Sequence, residues 1–243
     1  MTSLQRGNIG QFAQLRRSIE LLAPGLPHVA IVNTEDSAEL TAHLSDQVRL
    51  EIVTTADVLP RVIERHRRRA TLTWLSGRWL RRRVIRSWHA QQLAKLYALA
   101  SCSYEAAAFL DADAVLSHPV GPGHFFMDGR VKLLRRRAVE AESMDCDIAT
   151  HDILGHPLHQ VTELFDYRLS PACFRKSSAV RLLAELERRR PLRWIRRFTA
   201  QKRPSEYNLL GYAAMVLEGG AGYELIDCGL SQSFLPSSCP ATE

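Results

Sequence analysis

Five apolar residues, Ala106-Ala107-Ala108-Phe109-Leu110, run without a break into Asp111-Ala112-Asp113. An apolar run this short suits a strand buried on both faces, which belongs inside a helix-covered parallel sheet. Two carboxylates at the end of such a strand stand at the carboxyl edge of the sheet, where open α/β folds bind their ligands.

The rest of the chain has the matching rhythm. Phe12, Leu15, Ile19 and Leu22 form one stripe of a helix over Gln11–Leu22, which Pro24-Gly25 stops. A buried strand is expected at His28–Val32 and a second around Val48–Val53, with a polar stretch between them. Residues 55–86 are expected to be helical and basic, followed by a helix from a Ser87 N-cap to about Ala100. Beyond the aspartates, Pro119–Gly129 reads as a loop, and Ile148–Thr150 and Phe165–Leu169 as short strands. Helices at Lys176–Arg189 and Ser205–Leu217 and a last strand at Tyr223–Ile226 complete the pattern. The 243 residues, 46% hydrophobic and without internal repeat, point to one α/β domain over 1–234, with 235–243 a disordered tail.

Composition narrows the setting. No apolar run approaches the roughly 18 residues of a membrane span, and no secretory leader pattern opens the chain. The five cysteines are scattered and contain no CxxC pair, which argues against a disulfide framework or a zinc site and fits the cytoplasm. Between Arg61 and Trp88 ten arginines face a single acid, Glu64. Trp74, Trp79 and Trp88 are interleaved with Arg78, Arg81, Arg82, Arg83 and Arg86, a mixture suited to peripheral contact with an anionic membrane or to a core with solvated flanks. The same charge would serve a nucleic-acid binder, but no recognition motif accompanies it, and nucleic acid is not an expected partner.

Two carboxylates one residue apart suit a hard divalent cation, Mn²⁺ or Mg²⁺, which bridges phosphates. The structural alternative is a strand ending in a turn, where Asp is common. Three motifs in order resemble a bacterial family of GT-A-type glycosyltransferases: Trp88-His89-Ala90-Gln91-Gln92-Leu93-Ala94-Lys95, then Leu110-Asp111-Ala112-Asp113, then Ser205-Glu206-Tyr207 with Gly211 after it. The resemblance runs from about Gln11 to Phe234. It implies a GT-A-like, mostly parallel sheet flanked by helices, a nucleotide-diphosphate-sugar donor, and a glycan or lipid-linked acceptor of the cell envelope. By it, Asp113 is the direct metal ligand and Asp111 contacts the metal or the ribose. Trp88, Gln92 and Lys95, at offsets of four and seven on one helix face, become candidates to meet the diphosphate or ribose; without the resemblance they read as a solvated helix face, Lys95 above all. Glu206 becomes a candidate for acceptor contact or base catalysis, although a first-turn glutamate also suits the helix dipole.

Two departures accompany the resemblance. Every histidine lies at or before His159, so a C-terminal histidine ligand is missing, and either Asp227 substitutes for it or the metal is held by the two aspartates and phosphates alone. Only Met1-Thr2-Ser3 precede the first loop, so the first strand is expected to be truncated or the start misplaced. Asp152, beside His151 after the strand expected at Ile148–Thr150, is a further catalytic candidate. His156 and His159 are three apart but lack surrounding ligands. A phosphatase of the haloacid-dehalogenase type is the rival enzyme, since Asp111-Ala112-Asp113-Ala114-Val115 fits its nucleophile motif. That motif normally lies on the first strand, whereas here about a hundred residues precede it.

Overall fold

A computed structural model describes residues 1–44, 49–72, 85, 87–156, 163–189 and 193–228. The chain opens with β1 (Thr2–Leu4), α1 (Ile9–Leu22), β2 (His28–Val32), α2 (Ser37–Leu44) and β3 (Leu50–Thr54). Next come α3 (Thr55–Val58), α4 (Arg61–Leu72), α5 (Ser87–Ser101) and β4 (Ala106–Phe109). α6 (Pro122–Phe125), β5 (Phe126–Met127), β6 (Arg130–Arg137), α7 (Ala141–Leu154), β7 (Phe165–Asp166) and β8 (Ala172–Arg175) follow. α8 (Lys176–Arg189), α9 (Arg193–Ala200), α10 (Glu206–Tyr212) and β9 (Tyr223–Asp227) complete the α/β fold, with a π-helical turn at Ala213–Leu217.

β1, β2 and β3 pair in parallel. Met1 joins them to β4: its nitrogen donates to the Ala108 carbonyl at 2.7 Å, and its carbonyl accepts from Leu110 N at 3.1 Å. All five residues of β2 are buried, and they divide between two cores. Val29 and Ile31 pack with Leu93 and Phe109 on the α5 side, while Ala30 and Val32 pack with Phe12 and Leu15 of α1 on the other. That division is the physical content of a strand buried on both faces. Fully burying each large aliphatic side chain contributes roughly 1.5–3 kcal/mol.

The second half of the molecule is mixed. β8 runs antiparallel to β4, β6 is antiparallel to β5 and β7, and β9 returns parallel to β6. Parallel pairing therefore dominates only the amino-terminal half. The first strand is short, at three residues, yet each of them pairs with β2.

Ile148–Thr150 is not a strand. It lies inside α7, which Gly155 terminates in the left-handed conformation (φ 72°). Its seven buried residues lie on one face, but Ser143, Asp147 and Thr150 are among them, so no apolar stripe marks the helix in sequence. Only Phe165 and Asp166 of the stretch 165–169 are extended in a sheet. The loop expected at Pro119–Gly129 holds α6 and β5, and the basic stretch after residue 54 forms two helices, α3 and α4. Trp74, Trp79, Arg78, Arg81, Arg82, Arg83, Arg86, His159 and the tail 235–243 lie outside the described residues.

Candidate functional site

β4 ends at Phe109, and the chain then leaves the sheet with Ala112 buried and Asp111 and Asp113 exposed. They open onto a cleft of about 650 Å³, within the range typical of small-molecule sites. Trp88, Gln92 and Lys95 line it from α5, and Ser205, Glu206 and Tyr207 from the start of α10. Six residues singled out from sequence thus share one cavity: Trp88, Gln92, Lys95, Asp111, Asp113 and Glu206.

Lys95 ties the three motifs together. Its ammonium lies 3.2 Å from Asp111 Oδ1, 3.1 Å from Glu206 Oε1 and 3.0 Å from the Tyr207 hydroxyl. The Tyr207 ring stands beneath it, 4.9 Å from the centroid, and packs edge-on to Phe109. Lys95 is 7% exposed and Glu206 only 2%, so this is a buried ion pair and not a solvated helix face. Burial alone would lower the lysine's pKa. The carboxylate of Glu206, with Tyr207 and Asp111, outweighs that and holds it above its ordinary value. Burial foremost, with the Glu206 and Asp111 charges adding to it, raises the Tyr207 phenol.

Each residue of the Ser205-Glu206-Tyr207-Asn208 element has a structural reason. The Ser205 side chain caps α10 by accepting from Asn208 N at 3.3 Å. Asn208, fully buried, accepts from Tyr167 N at 3.2 Å and donates to the Phe165 carbonyl at 3.1 Å, stitching α10 to β7. Gly211 is needed for contact: a Cβ there would lie 2.3 Å from Tyr167 Cγ. Glu206 and Tyr207 are thereby aimed at Lys95. The sequence signal of a first-turn glutamate was correct, but its partner is a lysine 111 residues earlier in the chain.

Asp152 is not among the cleft's lining residues. It lies in the last turn of α7, where its carboxylate accepts from Gln201 Nε2 and its carbonyl from Arg197. Asp227 forms a 2.6 Å ion pair with Arg135, also away from that lining. His156 is bonded to the Tyr212 hydroxyl at 2.8 Å. Sequence reasoning missed Tyr207 as a contact of the lysine. It also missed a second set of lining residues, Arg136, Glu142, Asp166 and Arg168 among them, whose charges read in sequence as ordinary surface.

The donor set suits a hard cation only in part. Asp113 has no hydrogen-bond or ion-pair partner among the described residues, whereas Asp111 shares one oxygen with Lys95. No group of three or more His, Cys, Asp or Glu side chains placed to hold a metal occurs among the described residues. Two exposed carboxylates fit Mn²⁺ or Mg²⁺ provided that oxygens of a phosphate ligand complete the shell.

Among the described residues no helix is long and apolar enough to cross a membrane. No curated protein matches the chain. Residues 2–224, which include every motif that meets in the cleft, match one family throughout, and the chain belongs to the family of unknown function DUF6492.

Proposed function

We propose that the chain is a metal-dependent glycosyltransferase, moving a sugar from a nucleotide-diphosphate donor to a glycan or lipid-linked acceptor. The observation that carries this reading is the pairing at the end of β4. One aspartate, Asp111, is braced by a buried cation, and the next, Asp113, is exposed and without a partner among the described residues in the same cleft. A divalent cation held there would neutralise the charge developing on a departing diphosphate. Lys95 holds the Asp111 carboxylate in one orientation and adds a fixed positive charge beside the phosphates. Trp88, 47% exposed at the cleft, offers a face for the base, and the Gln92 amide lies one turn further along the same helix. Glu206, bound to Lys95 and 2% exposed, is better suited to positioning that lysine than to taking a proton from an acceptor. The setting we assign is cytoplasmic, peripheral at the inner face of an anionic membrane.

Thermal-shift titration with nucleoside diphosphates, with and without Mn²⁺, tests the reading. Stabilisation by nucleotide should require Mn²⁺ and vanish in Asp113→Asn, whose unliganded melting point stays that of the wild type. Equal nucleotide binding in excess chelator would overturn it.

A further inference from the structure

The cleft has a second charged region, built from β6, β7, α7 and the turn before α10, which the donor reading leaves unused. Asp166 is fully buried at its base. It accepts from Arg168 Nε at 2.9 Å and Nη2 at 3.2 Å, and from Arg136 Nη2 at 3.1 Å. Burial alone would raise this carboxyl's pKa, but the Arg168 and Arg136 bonds outweigh it and hold the pKa low. Glu142 accepts from Arg168 at 3.1 Å and from Arg203 at 2.6 Å. Three guanidinium groups therefore share two carboxylates, leaving one positive charge over. The exposed Glu140, which also lines the cleft, is bound to none of the three.

The two lining arginines are used differently. Arg168 commits Nε, Nη1 and Nη2 to carboxylates and is a brace. Arg136, 28% exposed, makes one hydrogen bond among the described residues and keeps its remaining N–H donors. Its register opposite Asp166 on β7 fixes the side chain at the cleft. A planar fork, oriented in advance by a buried carboxylate and carrying unspent donors, is the arrangement that recognises a tetrahedral oxyanion.

We infer that Arg136, set by Asp166 and Arg168, is a recognition site for a phosphate group carried by the acceptor. The inference rests on the glycosyltransferase reading only for the word acceptor, since the oxyanion site is a property of these arginines alone. Two sources present such a group: a water-soluble sugar phosphate and a phosphomonoester lipid.

Calorimetric titration of inorganic phosphate in excess chelator, at low ionic strength, tests it without any metal or nucleotide. Asp113→Asn, which removes a carboxylate from the same cleft, should bind no more weakly than wild type. Arg136→Gln should bind at least about tenfold more weakly, the loss expected for one charge-assisted hydrogen bond. Arg136→Lys should retain part of the affinity, and equal melting curves show that the fold survives. Phosphate binding that is absent in wild type, or unchanged in Arg136→Gln, overturns the inference. Competition by glucose 1-phosphate or by vesicles containing phosphatidic acid supports it and identifies the source, whereas competition by neither overturns it. A protein that binds phosphate in this way but shows no Mn²⁺-dependent nucleotide binding keeps the arginine site and loses the glycosyltransferase reading.

Discussion

Replacing Lys95 with methionine keeps the length of the side chain and removes its charge. Glu206, 2% exposed, would then keep a carboxylate whose one ion-pair partner among the described residues was that ammonium, 3.1 Å away. Removing one member of a buried pair typically costs about 3–5 kcal/mol, because the remaining charge stays desolvated. For a chain of this size, 1 kcal/mol moves the melting point by about 2–4 °C, so Lys95→Met should melt roughly 6–20 °C lower. Adding Glu206→Gln removes the stranded charge, and the double variant should recover most of that loss. Function should not follow stability: both variants lose the fixed charge beside Asp111, so nucleotide binding stays weak in each. Urea denaturation and nucleotide titration of the wild type, both single variants and the double variant form a complete cycle. A Lys95→Met protein as stable as wild type, or a double variant no better than Lys95→Met, would refute the buried-pair reasoning.

Gly211→Ala should destabilise by about 1–3 kcal/mol despite alanine's better helix propensity, because the new Cβ would sit 2.3 Å from Tyr167 Cγ; a melting point at or above wild type contradicts this. Asp147 is 6% exposed, and burial raises its carboxyl to about 6. Its folded pKa lies above the unfolded value, so this contribution to stability is present below about pH 4 and is lost as pH rises through 6. Asp147→Asn should flatten the stability profile across that window and gain about 1–3 kcal/mol at pH 7; urea midpoints from pH 4 to 7 measure it, and an unchanged slope counts against it. Trp88→Ala should weaken nucleotide binding by about 5–150-fold, the range for losing one base-aromatic stack of about 1–3 kcal/mol; calorimetry showing wild-type affinity would remove Trp88 from the donor site.

Much of the architecture was legible from local pattern. The stripe of Phe12, Leu15 and Ile19, the apolar run Val29–Val32, the all-apolar Ala106–Phe109, and the Ser205 cap announce their elements because each carries the period, the run or the cap that its structure needs. Residues 148–150 misled because short β-prone runs look alike in a strand and in a helix, and the buried face of α7 includes the polar Ser143, Asp147 and Thr150, so only packing against β7 and α10 separates the two. β6 was hidden for the opposite reason: Arg130–Arg137 carries four arginines and a lysine, so Val131, Leu133 and Leu134 do not stand out as a core strand until β9 pairs beside them.

The site divides in the same way. Sequence alone determined which residue types stand at the end of β4 and along one face of α5, because those follow from a strand end and a helical period. Tertiary structure alone decided that Lys95 is a buried cation and not a solvated one. Its partners Glu206 and Tyr207 lie more than a hundred residues away, and the fold places them by capping α10 at Ser205, anchoring Asn208 to β7 and packing Gly211 against Tyr167. Charge in a sequence has no dielectric until the chain closes around it, and whether a lysine brings a fixed charge to a site depends on that closure.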